Sequence, residues 1–364
     1  MNTPLQSVLL KSIFFSGITF FTVSCGPAWD IDNPYEGADW DNHRQYKANF
    51  HTHTTRSDGR LNPHQVVDGY HELGYDILAI TDHNGVTYPW TEFSQMEASD
   101  LSYQRKEENP DHYPDNFQFE DRDPAGLGMV DIQANELSSH HHMGSFFSDH
   151  KRPPYGESVD YTVTEEESIR DVGEKGGLVM LYHPGRYEET LEWYVDLFEQ
   201  YDHLFGLEIY NQGDRYPDDR MMWDSILTVT MPDNPVWGYS NDDMHSRGHL
   251  GRNWNMMILP ELSHESVRDG MENGLSYYIY APEGHEGPEP PYIESIDVNE
   301  HRGTIEITAR NYDRILWITE GRVVHEGSSV DLNDLPETGS YIRAELSGKA
   351  ESIAGTQPFG IRQP

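Results

Sequence analysis

The residues able to do chemistry in this chain are its histidines, and several stand close to carboxylates at short spacing. His51-Thr52-His53 is followed by Asp58. In an extended strand, residues i and i+2 share a face, so the two imidazoles can address one metal ion. Further along come Thr81-Asp82-His83, Asn135-Glu136-Leu137, the triplet His140-His141-His142, His183-Pro184-Gly185-Arg186 and Asn241-Asp242-Asp243-Met244-His245. A single His-x-His reads as two surface histidines. A series of such groups, each at the end of an apolar run, reads as a metal site. Mixed imidazole and carboxylate ligands suit Zn, Mn or Fe, and not an all-oxygen calcium cage. One carboxylate bridging two ions about 3.5–4 Å apart is the geometry of two-metal hydrolysis, where a bridging water becomes a nucleophile at neutral pH. Arg186 and Arg252 carry the planar fork that clamps a phosphate, although a surface or helix-cap role accounts for either equally well. Asp82 can orient a ligand from behind or simply shape a turn.

Such groups need elements to hold them. Runs at 47–53, 76–81, 129–137, 142–147, 178–183, 206–210 and 236–240 read as strands, and 63–73, 165–174, 189–200 and 219–227 as helices. Thr164 and Glu167 have capping-box spacing, and Gly173, Gly176 and Gly177 end that helix. Alternating strands and helices predict an α/β fold with a parallel sheet. Seven strands suggest a closed, TIM-like (β/α)7 barrel, in which active residues collect at the C-terminal strand ends. No glycine-rich dinucleotide fingerprint follows any strand. Residues 85–128, with Pro89, Pro110, Pro114 and Pro124, form an acidic insertion that either covers the site or is a surface excursion. Residues 283–291 read as a linker, and the alternating runs beyond it as a small C-terminal all-β domain.

Composition excludes some partners. Lys+Arg number 25 and Asp+Glu 63, a net charge of −38. A chain so acidic is not expected to scaffold nucleic acid or to dock on anionic lipid through a basic patch. The single cysteine allows no internal disulfide. The apolar run 8–23 is too short to span a bilayer and fits the core of a signal peptide. Thr22-Val23-Ser24-Cys25-Gly26 resembles a bacterial lipoprotein cleavage site. That resemblance implies loss of 1–24, acylation of Cys25 and a polar tether over 25–45. It also implies a periplasmic or cell-surface location, with membrane contact only through the lipid.

His51-Thr52-His53 with Ser57-Asp58-Gly59, then Thr81-Asp82-His83, Glu136, His183-Pro184 and Asp243-x-His245, resemble the motifs of the PHP (polymerase and histidinol phosphatase) family. The resemblance spans about 46–282 and implies a distorted seven-stranded barrel holding two or three divalent ions. By motif, the first ion would take His51, His53, Glu136 and Asp243. The second would take Glu136, His183 and one histidine of the triplet, with His142 chosen and His141 the competitor. The third would take Asp58, His83 and His245. The implied activity is hydrolysis of a phosphate mono- or diester in a small phosphorylated substrate, by attack of a hydroxide bridging two metals, with Asp243, Arg186 and Arg252 as catalytic residues. Two alternatives stand beside it. An amide or lactone hydrolase on a related barrel also begins with His-x-His and ends with Asp, but lacks the Thr-Asp-His and Asp-x-His groups. A surface protein that retains metal without turnover is the other.

Overall fold

A computed structural model of the chain describes residues 29–153 and 162–362. The apolar run at 8–23 and Cys25 lie outside the described residues. The chain begins with β1 (Asp30–Asp32), β2 (Arg44–Asn49), α1 (Pro63–Glu72) and β3 (Ile77–Ala79). Helices α2 (Asp100–Glu108) and α3 (Pro124–Leu127) fall in the insertion. Then come β4 (Val130–Ile132), β5 (Ala134–Ser138), β6 (His142–Phe146), α4 (Glu165–Glu174), β7 (Leu178–Leu181), α5 (Leu191–Gln200), β8 (Leu204–Asn211), α6 (Asp219–Thr230) and β9 (Trp237–Asn241). Next are β10 (Asn253–Leu259), α7 (His264–Glu272) and β11 (Ser276–Tyr280). The C-terminal part is β12 (Tyr292–Asn299), β13 (Thr304–Arg310), β14 (Tyr312–Thr319), β15 (Arg322–Glu326), β16 (Ser329–Asp331), β17 (Tyr341–Gly348), β18 (Ile353–Thr356) and β19 (Phe359–Arg362).

Local chemistry sets several of these bounds. The Thr164 hydroxyl accepts from the Glu167 amide, and the Thr164 amide donates to the Glu167 carboxylate, so the expected capping box starts α4. Asn62 and Gln65 start α1 in the same reciprocal way, and Gly74 follows its end at φ 71°.

The sheet is mixed, not parallel throughout. Strands β2, β3 and β4 run parallel, as do β7, β8 and β9. Strands β5, β6 and β7 are antiparallel. The link between β5 and β6 is too short for the crossover a parallel pair requires. The expected strand over 129–137 changes partner at Gln133: β4 pairs with β3, β5 with β6. Pairing therefore forms two sheets, not one continuous ladder around a ring. Isolated parallel bridges, Thr52 to Met244 and His83 to Glu136, join them on both sides. Both bridges involve or flank the chemistry-bearing residues.

Under that junction lies an aromatic floor. Phe50 meets Phe146 and Tyr239 edge-on, at centroid distances of 6.1 and 5.8 Å, and Phe205 meets both partners. Such edge-to-face pairs fix ring orientation beyond what area burial does. Phe50 immediately precedes His51, so the floor sets where that imidazole stands.

Segments expected at the periphery are tied in. Residues 29–45, read as a tether, include β1, which pairs antiparallel with β19, and the buried Tyr35, whose hydroxyl donates to the Ser276 carbonyl. Isolated aromatic and aliphatic residues in a polar stretch gave no periodic signal for this. The insertion buries Trp90 and Phe93, and the Ser99 and Ser102 hydroxyls donate to the carbonyls of Ser57 and Thr55. Strands β17 and β18 continue the sheet of β11 and β10, while β12, β13 and β16 form a separate three-stranded sheet. Buried Gln357 exchanges two hydrogen bonds with the backbone of Gly238 in β9.

Candidate metal centre

The ladder of β2 stops at Asn49, so His51 and His53 stand just beyond it. Side-chain amides replace the ladder there: the Phe50 amide donates to Asn241 and the His51 amide to Asn49. The i, i+2 geometry survives. Both imidazoles are wholly buried, with their Nε2 atoms 3.1 Å apart. His51 Nε2 lies 3.5 Å from Glu136 Oε1 and 3.3 Å from Asp243 Oδ1; His53 Nε2 lies 3.3 Å from Glu136 Oε2 and 3.2 Å from Asp243 Oδ1.

Glu136 is the hub. Its oxygens also meet His83 Nδ1 at 2.9 Å, His142 Nδ1 at 2.8 Å and His183 Nε2 at 3.4 Å. On the far side, Asp58 Oδ1 lies 3.4 Å from His83 Nε2 and 3.3 Å from His245 Nε2. The structure thus brings together His51, His53, Asp58, His83, Glu136, His142, His183, Asp243 and His245, which form overlapping groups able to hold metal ions. Of the triplet, His142 faces Glu136, whereas His141 lies between Glu165 and Glu189 and stacks on Trp193.

The donor set fits a cation. Two imidazole Nε2 atoms 3.1 Å apart share at most one proton, and both face carboxylate oxygens. Ligands about 2.1 Å from a tetrahedral metal are about 3.4 Å from one another, close to the spacings around His51 and His53. His183 Nδ1 is buried without a hydrogen-bond partner. Buried polar atoms are rarely left so. Two of the group have positive φ, His183 at 31° and Asp243 at 43°, a conformation uncommon outside glycine in which Asn, Asp and His are the side chains best tolerated.

Electrostatics follow the crowding. Burial pushes the His51 imidazole down, but the carboxylates of Glu208, Asp243 and Glu136 outweigh it and hold His51 well above its usual value. Burial raises Glu136, yet His83, His142 and His51 pull it well below the usual carboxylate range. His245 rises against its burial to about 9 beside Asp243 and Asp58. His142, where burial dominates, falls to about 4. Exposure is uneven: the His245 side chain is 24% exposed, His51 and His53 not at all. The cluster therefore opens toward solvent at its His245–Asp58 edge.

Supporting residues explain the placement. Asp82 accepts from the Thr54 amide and the hydroxyls of Thr54, Ser57 and Thr87, fixing the loop that carries Asp58. Asp242 accepts from the amides of Gly251, Arg252 and Asn253 and from the Tyr70 hydroxyl. Arg186 is exposed, its guanidinium over the Tyr187 ring, and Arg252 is half-buried. Among the described residues neither guanidinium bonds to the nine.

Glu208 was not singled out by sequence. Wholly buried in β8, it accepts from Asn211, Asn241 and the His183 amide and lies 2.8 Å from His51 Nδ1. A carboxylate on the outer nitrogen of a ligand histidine fixes its tautomer and ring orientation. The available signal was a lone Glu in the apolar run Gly206-Leu207-Glu208-Ile209-Tyr210.

No protein-family model matches the chain, and no curated protein is significantly similar to it. Solved structures are similar at low identity. A two-domain protein from Bacteroides vulgatus containing a predicted PHP-like metal-dependent phosphoesterase is 18% identical, with a TM-score of 0.47 over 90% of this chain and 88% of that one. An amidohydrolase from Chromobacterium violaceum is 14% identical, with a TM-score of 0.36 over 55% of this chain and 88% of that one. A putative metal-dependent phosphoesterase from Bifidobacterium adolescentis is 18% identical, with a TM-score of 0.36 over 62% of this chain and 96% of that one.

Proposed function

We propose that this protein is a metal-dependent phosphoric ester hydrolase of PHP type, with its site at one end of a distorted seven-stranded barrel. The observation that carries this reading is the convergence of His51, His53, Asp58, His83, Glu136, His142, His183, Asp243 and His245 on overlapping metal-sized gaps around one buried carboxylate. His51, His53, Glu136 and Asp243 would hold a first ion, Glu136, His142 and His183 a second, and Asp58, His83 and His245 a third. Zn, Mn or Fe bound there supplies Lewis-acid polarisation of a phosphoryl oxygen and an acidified water. The chain's own part is placement. Glu136 shares its oxygens between neighbouring gaps, and Glu208 holds the His51 ring. The positive-φ turns at His183 and Asp243 aim their side chains inward, and burial above the aromatic floor limits the access of bulk water. Arg186 and Arg252, on the loops that follow His183 and Asp243, clamp the equatorial oxygens of the phosphoryl group. The high negative charge is no obstacle, because divalent ions dominate the local field of such a site. Export and anchoring through acylated Cys25 belong to the same proposal.

The test is a substrate panel on metal-stripped protein reloaded with Zn, Mn or Fe. Phosphate release from phosphomonoesters or phosphodiesters, with Asp243→Ala lowering both metal content and rate, is expected. Hydrolysis of amides or lactones without phosphate release would overturn the reading. So would wild-type rates in Asp243→Ala.

A further inference from the structure

Beside the open His245–Asp58 edge lies a cavity of about 440 Å³ lined by Arg60, Arg247, His112 and Tyr113. A second hollow of about 210 Å³ shares Arg60, His112 and Tyr113 with it and adds Arg105. The two are one cationic recess. It adjoins the cluster through the backbone: the Arg60 amide donates to the His245 carbonyl at 2.8 Å, and Arg105 Nη1 donates to the Asp58 carbonyl at 3.1 Å. Arg247 follows His245 by two residues.

Arginines set the character of the recess. Elsewhere Arg122, Arg220, Arg268 and Arg343 each hold a carboxylate partner. Among the described residues no ion pair engages Arg60, Arg105 or Arg247, although Asp111 and Glu108 line the same recess. Guanidinium groups held beside a cavity and left without protein carboxylates are suited to an oxyanion ligand, which they bind through charge-assisted, bidentate hydrogen bonds. His112 and Tyr113 come from the insertion at 85–128, which gives that segment a role in the site.

We infer that this recess is a subsite for a second oxyanion on the substrate. The hydrolysed phosphoester sits over the metal cluster, and a non-reacting phosphate or carboxylate of the same molecule binds Arg60 and Arg247. The inference rests on the hydrolase reading for the first anchor and names the substrate class: small phosphoesters carrying a second anionic group.

The test uses full-length protein saturated with Mn and titrated calorimetrically with three ligand series of three to six carbons: alkylphosphonates, ω-phosphonoalkanoates and α,ω-bisphosphonates. At one chain length or more, a two-anion ligand should bind about tenfold or more tighter than its alkylphosphonate, the scale of one charge-assisted hydrogen bond. The Arg60→Ala/Arg247→Ala variant should lose that advantage while retaining alkylphosphonate affinity, metal content and Tm, because both side chains are exposed. An advantage confined to the bisphosphonates names phosphate as the second group; one shared by the carboxylates names any oxyanion. No advantage at any length, or one that survives in the double variant, would overturn the subsite. The two readings fail separately. Phenyl phosphate turnover without two-anion preference removes only the subsite, and Arg-dependent preference without any phosphate release removes only the hydrolase.

Discussion

Among the described residues, two buried charge clusters are built in opposite ways. At Arg343 the guanidinium donates to both oxygens of Asp224, at 2.8 and 2.7 Å, and to Glu345 at 2.6 Å, and the Tyr341 hydroxyl donates to Asp224 at 2.7 Å. Strong donors meet acceptors, and the set closes on itself. Around Glu136, imidazole nitrogens and carboxylate oxygens crowd together: imidazole faces imidazole at 3.1 Å, His53 Nε2 and His83 Nδ1 stand 3.3 and 2.9 Å from the one oxygen Oε2, and His183 Nδ1 has no partner. The first arrangement ties α6 to the C-terminal β17. The second makes sense as a set of ligands. Burial of charge alone does not mark a site; an excess of convergent lone pairs does.

Substitutions can break this contrast. The largest effect is expected at the hub: Glu136→Gln should keep its circular dichroism yet lose bound metal, with phosphoester hydrolysis falling more than about a hundredfold. Metal analysis and rates on the same sample check it, and full metal content would refute it. Arg343→Met should do the reverse. It strands the buried Asp224 carboxylate and should cost about 3–5 kcal/mol in urea unfolding, with metal content per folded molecule unchanged. Glu208→Gln tests the join between support and site, and should weaken metal affinity about 10–100-fold by competition titration. An unaltered affinity would make Glu208 purely structural.

The smallest expected effect is on pH dependence. Burial pushes the Asp219 carboxyl up to about 8, although the Gly185 amide donates to it. Its unfolded value is about 4. Between these values the folded state keeps a proton that the unfolded state releases, so stability is full below about pH 4 and falls as pH rises through 8. Asp219→Asn should flatten the decline between pH 5 and 9. Parallel profiles for variant and wild type would contradict this.

Much of the site was legible because residue type and strand-end position are local. His51-Thr52-His53, Thr81-Asp82-His83 and Asp243-x-His245 announce themselves within a few residues, and the structure assembles all of them. The choice between His141 and His142 was not local. It depends on β6 pairing with both β5 and β7, which turns His142 toward Glu136 and His141 toward Glu165. The antiparallel turn between β5 and β6 was legible in the short link between the expected strands 129–137 and 142–147, but the change of partner at Gln133 was not, because it depends on which sheet each half joins.

Residue spacing by itself determined the candidate ligand types and their order along the chain. Only tertiary structure decided where lone pairs converge, because those contacts join residues far apart in sequence. Glu208 reaches His51 across 157 positions. The cationic recess likewise joins the loop after His53, the insertion and the loop after β9. A side chain's reach is a few ångströms, so its neighbours there are set by strand pairing and packing, not by its place in the sequence.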